Sequence, residues 1–229
     1  MININNLPDP IINYNFENVY APSDDTYLII DYFKKKIDHN HFDGIKIQEI
    51  KRILDIGTGS GAIAIFFQII KTHNPNFNPE IFASDISEEA IKCAKSNEKA
   101  NNFENKIKFI QSDFFKSFPD YLKHSFDVII FNPPYLPSSL LIDKSSNKKK
   151  IDYCWDGGKR GFETFIKFLD DVKKFLKKKS FIYYISSSRT NLEQLNNYIL
   201  KRNFKNETLE KKHIFFEDII LNKLETVII

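Results

Sequence analysis

Short runs of β-branched and aromatic residues alternate along this chain with longer stretches whose apolar positions recur three or four residues apart, the periods of strands and amphipathic helices. Ile53-Leu54-Asp55-Ile56 reads as a first strand, followed by a helix from about Gly61 to Lys71. Asn74 to Pro79 is a loop, and Glu80 to Ser84 a second strand that ends at Asp85. Ser87 then caps a helix reaching about Asn101, with Glu88 and Glu89 in its first turn, where acids meet the positive end of the helix dipole. Lys106 to Gln111 and Phe126 to Phe131 supply a third and a fourth strand. A helix over Phe162 to Lys177, a fifth strand over Ser180 to Ile185 and a helix over Asn191 to Lys201 follow. The tail, Glu207 to Phe216 and Ile219 to Ile229, reads as two antiparallel strands joined by a tight turn near Glu217-Asp218. Alternating strands and helices without an internal repeat predict an α/β fold, a mostly parallel sheet wrapped by helices.

Between Leu136 and Asp156 the periodicity fades, and Ser138-Ser139, Ser145-Ser146-Asn147 and Lys148-Lys149-Lys150 mark a loop directly after the fourth strand. Open α/β sheets place ligands beyond the carboxyl ends of their strands, so this segment is positioned either as a lid over a substrate or as a plain solvated loop.

Composition narrows the class. A length of 229 residues fits one domain spanning residues 1–229, with 1–18 a short N-terminal extension. Hydrophobic residues make up 42% and charged residues 28%, ordinary globular usage that gives a disordered or fibrous reading little support. Lys and Arg total 33 against 30 Asp and Glu, a balance that does not announce a nucleic-acid binder. The longest apolar stretch, Ala62 to Ile70, is interrupted by Gln68 and too short for a bilayer, and no signal-type N-terminus precedes it. The expectation is a soluble cytoplasmic protein. Cys93 and Cys154 form no CxxC pair and no zinc site, so free thiols and no metal are expected.

The candidate chemistry sits at strand ends. Gly57, Gly59 and Gly61 follow the first strand, where glycines permit a tight turn and let a ligand approach the backbone. Such a turn alone fits a packed strand-to-helix junction or a dinucleotide site equally. Asp85 closes the second strand, where a carboxylate can accept from both hydroxyls of a ribose, and Asp113 follows the third, where an adenine amine would lie. Taken in series, they point to a nucleoside cofactor. Asn132-Pro133-Pro134-Tyr135 closes the fourth strand, either as a rigid strand stop or as an acceptor for a planar nitrogen.

Asp55 to Gly61, Asp85, Asp113 and the Asn-Pro-Pro-Tyr tetrapeptide together resemble the successive motifs of Class I S-adenosylmethionine-dependent methyltransferases that modify amide or exocyclic amino nitrogens. Val19-Tyr20-Ala21-Pro22-Ser23-Asp24-Asp25-Thr26 and Trp155-Asp156-Gly157-Gly158-Lys159-Arg160-Gly161 resemble motifs of one branch, the HemK2-type release-factor glutamine methyltransferases. The match begins near residue 19, with no helical domain of the bacterial kind before it, which favours that branch. The resemblance implies a Rossmann-like sheet in the order 3-2-1-4-5-7-6 with an antiparallel C-terminal strand. It also implies S-adenosylmethionine held by Thr26, Asp55, Gly57, Gly59, Gly61, Asp85, Ile86, Asp113, Phe114 and Asn132, with Asp24 a further candidate. Read bottom-up, Ser23-Asp24-Asp25-Thr26 is equally a helix start.

A glutamine nitrogen is a poor nucleophile because its lone pair is delocalised into the carbonyl, as in a peptide bond. The Asn132 side-chain oxygen and the Pro133 carbonyl can accept its two N–H groups, Pro133 and Pro134 stiffen that acceptor, and Tyr135 offers a flat surface. Asn132, Pro133 and Tyr135 are therefore the candidate catalytic residues, and Pro134 joins them in substrate binding. The charged product nitrogen is acidic, so no general base is named. The same acceptors suit adenine or cytosine, and the clusters Lys34-Lys35-Lys36, Lys148-Lys149-Lys150 and Lys177-Lys178-Lys179 keep a nucleic-acid amino-methyltransferase as the second reading. Methylation of a protein lysine is a third. The resemblance further implies a release factor as protein substrate and a small zinc-binding activator on the edge strand Lys106 to Gln111.

Overall fold

The structure is a computed structural model, and it describes residues 7–13, 16–140 and 154–227. In chain order the elements are α1 (Asp24–Lys36), β1 (His41–Phe42), β2 (Ile45–Lys46), β3 (Arg52–Ile56), α2 (Ala62–His73), β4 (Glu80–Asp85), α3 (Glu88–Ala100) and β5 (Ile107–Gln111). They continue with β6 (Phe126–Phe131), β7 (Leu136–Pro137), β8 (Asp156–Gly158), α4 (Glu163–Val172), β9 (Leu176–Ser187), α5 (Leu192–Lys201), β10 (Phe204–Ile214) and β11 (Glu217–Thr226). Seven of these strands form one sheet in the order β10-β11-β9-β6-β3-β4-β5, which is the expected 3-2-1-4-5-7-6 read from the other edge. The pairs β5–β4, β4–β3, β3–β6 and β6–β9 are parallel, and β11 runs antiparallel to both of its neighbours.

The period of two along each strand divides the core. Ile53, Ile81, Val128 and Tyr183 face one apolar cluster with Phe33, Phe66 and Phe67 of α1 and α2. Leu54, Phe82, Ile129 and Tyr184 point the other way, to a cluster with Phe165, Phe168 and Leu195 of α4 and α5. β6 is buried at every position, as a central parallel strand covered on both faces must be. At one margin β5 pairs only with β4, and Ile107 and Phe109 pack against the first cluster while Ile110 packs against the second, as the alternation requires.

Three boundaries depart from the sequence reading. The helix expected to reach Lys177 stops at Val172, and β9 begins at Leu176 instead of Ser180. Leu176 pairs with Phe126, and the Lys177 ammonium bonds the Asp127 carboxylate at 2.7 Å, so pairing with β6 overrides a stretch that reads as helix by spacing. The final hairpin turns at Phe215-Phe216, because Glu217 is tied to Ser187 at the end of β9 and Asp218 to Ser188 just beyond it. The first tail strand also begins earlier than expected, at Phe204. The small β1–β2 hairpin was not anticipated, although Asp43-Gly44 at its turn, both at positive φ (47° and 77°), is a legible hairpin signal. The Asp43 carboxylate accepts from Tyr32, Tyr183 and Lys223, which fastens this hairpin to α1, β9 and β11. Ser87 caps α3 as expected, accepting from the Ala90 N–H.

Of the expected lid or plain loop Leu136 to Asp156, Ser145-Ser146-Asn147 and Lys148-Lys149-Lys150 lie outside the described residues. Among the described residues, no helix is long and apolar enough to cross a membrane, and no cluster of three or more His, Cys, Asp or Glu side chains could hold a metal ion.

Candidate active site

The carboxyl ends of β3, β4, β5 and β6 surround an open cavity of about 1380 Å3. Between β3 and α2 the chain turns through Gly57, Gly59 and Gly61, all at positive φ (68°, 53° and 85°). At Gly61 a Cβ would lie 2.9 Å from the Ala94 Cβ, so this glycine lets α2 pack on α3 and does not line the cavity. Gly57 and Gly59 do line it, and Gly59 faces the backbone carbonyl of Tyr20 in the N-terminal segment.

The acids divide into two kinds. Asp55 is buried beneath the turn and outside the cavity wall. Its carboxylate accepts from the Thr58 hydroxyl at 2.6 Å and from the Ala64 N–H at 3.2 Å, bracing the turn against the first turn of α2. Burial, assisted by the nearby charge of Asp85, pushes the Asp55 carboxyl up to about 7. Asp85 lines the cavity and accepts from the Gly59 and Ser87 N–H groups at 3.0 and 2.9 Å, so it links two adjoining loops. Burial raises its pKa as well. Asp113 lines the wall beside β5 and pairs with Lys116. Ile86 is 66% exposed in the same wall, and Phe114, at φ 48°, sets its ring edge-on against Phe131.

Asn132, Pro133, Pro134 and Tyr135 form the wall beyond β6. The Asn132 Oδ1 is buried and, among the described residues, accepts no hydrogen bond, a state that costs about 1–3 kcal/mol. The rest of the tetrapeptide is held tightly. The Tyr135 carbonyl accepts from the Thr190 hydroxyl at 3.0 Å, and the Leu136 N–H donates to the Trp155 carbonyl at 2.9 Å. A Cβ at Gly157 would stand 2.8 Å from the Pro134 carbonyl oxygen and 2.4 Å from that of Gly161, and one at Gly161 would stand 2.6 Å from that of Tyr135. The Trp155 to Gly161 segment therefore grips the acceptor backbone at a distance only glycine allows.

α1 completes the wall. Thr26 lines the cavity, whereas Asp24 lies outside it and pairs with Lys212 of β10 at 2.7 Å. The neighbouring acid, Asp25, is 2% exposed and lines the cavity. Its carboxylate accepts from the hydroxyls of Tyr20 at 3.1 Å and Tyr135 at 3.2 Å, and from the Thr26 N–H at 2.6 Å. Burial, with the Asp25 charge adding, raises the pKa of both tyrosines, so both stay protonated donors. Asp25 shares its helix face with Ile29, Tyr32 and Phe33, and an acid on an apolar stripe was the signal available in the sequence. Cys154, half-buried in the same wall, gave no such signal.

A seven-stranded sheet in this order, with one antiparallel strand and a cleft at the carboxyl ends where acids follow successive strands, defines the Class I methyltransferase fold. The family model of the methyltransferase domain matches residues 47–227, and the chain belongs to that family. It is 30% identical over 203 residues, 89% of each chain, to a protein of Methanocaldococcus jannaschii provisionally named a protein N5-glutamine methyltransferase. It is 29% identical over 206 residues to the eRF1 methyltransferase catalytic subunit mtq2 of Schizosaccharomyces pombe, covering 86% of this chain and 85% of that one. Among solved structures, the E. cuniculi Mtq2–Trm112 complex, described as responsible for the methylation of the eRF1 translation termination factor, superimposes with a TM-score of 0.60 at 21% identity. That match covers 91% of this chain and 99% of the other and is a likeness of fold.

Proposed function

We propose that this chain transfers a methyl group from S-adenosylmethionine to the side-chain nitrogen of the glutamine in the Gly-Gly-Gln segment of a class I peptide-chain release factor. The observation that carries the reading is the unpaired, buried Oδ1 of Asn132 in the wall of the cleft. A buried acceptor without a partner is unfavourable in the free chain and becomes favourable when an N–H donor reaches it. The names of the M. jannaschii and S. pombe relatives favour protein glutamine as that donor.

The residues present fit the donor molecule. Asp85 retains acceptor capacity for ribose hydroxyls after its two backbone bonds, and the Asp113 carboxylate in the same wall could accept from an adenine amine. The exposed Ile86 side chain and Phe114 offer apolar surface to a flat ring, and Thr26, Gly57 and Gly59 close the other side. When bound, S-adenosylmethionine supplies an electrophilic methyl whose bonding electrons stay on sulfur. Asn132 Oδ1 and the Pro133 carbonyl hold the two amide N–H groups, which aims the nitrogen and stabilises positive charge developing on it. The two prolines and the glycine grip from Trp155 to Gly161 keep that acceptor from yielding. After transfer the acidic nitrogen releases its proton to solvent water at the open cleft. Asp55 and Gly61 act beneath the site, as supports of the turn.

The cytoplasm is the proposed place of action, where translation factors are found. A small zinc-binding activator is proposed to add to the β5 edge, whose only strand neighbour among the described residues is β4. Insoluble or cofactor-free protein from the chain expressed alone, corrected by co-expression of the activator, would support that pairing. The basic clusters give nucleic acid little help: Lys177 to Lys179 begin β9 at the end of the sheet away from the cleft, and Lys34 and Lys35 are paired with Asp9 and Glu210. Lys148 to Lys150 lie outside the described residues.

Incubation with methyl-labelled donor and either release factor, DNA or RNA tests the reading. Label on the release factor, located by mass spectrometry as one methyl on the Gly-Gly-Gln glutamine, is expected; label confined to nucleic acid or to a lysine would overturn it.

A further inference from the structure

The turn between β10 and β11 carries Phe215 and Phe216, 87% and 85% exposed, two adjacent aromatic rings with almost their whole surface in water. Single exposed apolar residues are ordinary, but a contiguous aromatic pair on a protruding turn marks an interaction surface. Phe215 stands at φ 50°, a region side chains other than those of glycine and asparagine rarely enter, so the turn has a definite shape.

Its position relates it to the cleft. β11 runs antiparallel to β9 with Ile219 opposite Ser187, so the turn projects beyond the carboxyl end of β9, the same end of the sheet at which Asn132 follows β6. The base of the turn is fixed there. The Ser187 hydroxyl donates to Glu217 at 2.5 Å, the Asp218 N–H donates to the Ser188 hydroxyl at 2.8 Å, and the Ser188 N–H donates to the Asp218 carbonyl at 2.9 Å. Two residues on, the Thr190 hydroxyl bonds the Tyr135 carbonyl at 3.0 Å. On its other side, β10 is pinned to the start of α1 by the Lys212–Asp24 pair. One short, braced path thus joins the aromatic tip to the acceptor tetrapeptide and to the rim of the cleft.

We propose that Phe215 and Phe216 dock the folded body of the protein substrate, gripping it outside the cleft while its acceptor side chain reaches Asn132. This rests on the glutamine-methylation reading and extends it from the reacting segment to the remainder of the substrate. A protein that inserts one side chain into the cleft brings its own surface across the rim where the tip stands. Charge around the tip is balanced: Lys211, Lys212 and His213 precede the aromatic pair, Glu217 and Asp218 follow it, Lys212 is paired with Asp24 and His213 with Asp218, so no excess of positive charge favours an anionic lipid surface or a nucleic-acid backbone as the occupant.

The test compares two acceptors, the intact release factor and a short peptide containing its Gly-Gly-Gln segment, using the full chain together with any activator it requires. For the Phe215→Ser/Phe216→Ser variant, KM for the intact factor is expected to rise at least about tenfold, while kcat, the peptide kinetics and the melting temperature stay within about twofold or unchanged. Leu200→Ser, at another exposed apolar residue, on α5, should leave both acceptors unaffected. Unchanged kinetics of the double variant on the intact factor would overturn the proposal, and so would an equal loss on both acceptors. A wild-type dimer that the double variant converts to monomer, with KM for the factor unchanged, would overturn it in favour of a second copy as occupant. Binding to anionic vesicles that the variant loses, again without a change in KM, would overturn it in favour of a membrane. Failure of the wild-type chain to methylate either acceptor would overturn the glutamine reading and this proposal together, a result distinct from all the others.

Discussion

Asp55 and Asn132 end adjacent parallel strands at the same cleft, yet their oxygens are in opposite states. The Asp55 carboxylate accepts from Thr58 and Ala64 and has no place in the cavity wall. The Asn132 Oδ1 is equally shielded, stands in the wall and accepts nothing from the protein. A polar group whose bonds are made within the chain supports the fold; one left unmade is available to a ligand. In sequence the two residues have equal standing as motif positions, so hydrogen-bond satisfaction is what separates them.

The comparison can be broken at four points. Asn132→Ala carries the largest expected effect, a fall in kcat of about a hundredfold to a thousandfold, as for removal of one preorganised polar group at a reacting centre. Because the unpaired oxygen is itself a cost of about 1–3 kcal/mol, its removal should leave stability unchanged or raise it by up to that amount, checked by chemical denaturation. Full activity in a variant that still binds the methyl donor would remove Asn132 from catalysis.

Gly157→Ala comes next. The added Cβ would meet the carbonyl oxygens of Gly161 and Pro134 at 2.4 and 2.8 Å. Overpacking of this kind costs about 1–3 kcal/mol, and the displaced tetrapeptide should lower kcat more than it weakens donor binding. An unaltered kcat would mean that the segment yields without moving Asn132.

Asp25→Asn replaces one acceptor oxygen by a donor facing the hydroxyls of Tyr20 and Tyr135. A loss of about 1–2 kcal/mol in stability and about tenfold in kcat/KM is expected, read from denaturation midpoints and steady-state kinetics. Equal behaviour of variant and wild type would show that Tyr135 is positioned through its backbone, by Thr190 and the glycine segment, without help from its hydroxyl.

The smallest effect on catalysis is expected at Asp55, whose role is read in the pH dependence of stability. An ordinary Asp loses its proton near pH 4, whereas Asp55 in the folded chain keeps its proton to about 7. Between these values the folded state holds a proton that the unfolded state has released, so stability falls as pH rises through this window. Asp55→Asn should reduce that slope, leaving the part that comes from Asp85, whose pKa is raised in the same direction. Identical slopes in urea denaturation across the window would show that Asp55 is ionised in the fold.

Much of this molecule is written locally. The buried runs of β3, β4, β5 and β6, the cap at Ser87, the turn glycines and the acids at strand ends depend on neighbours within a few residues, so periodicity and residue type suffice to find them. Residues matched to a methyltransferase motif likewise carried the nature of the nucleophile and the cofactor expectation. Three features depended on chain segments distant in sequence. β9 begins at Leu176 because Phe126 and Asp127 engage it from fifty residues away, a separation no local pattern records. The exchange of Asp24 for Asp25 in the cleft wall turns on the rotation of α1 against the sheet, which sends one acid to Lys212 and the next to Tyr20 and Tyr135. The fate of Asp55 and Asn132 was decided the same way: residue type supplies an oxygen, and only the packed structure determines whether another part of the chain reaches it.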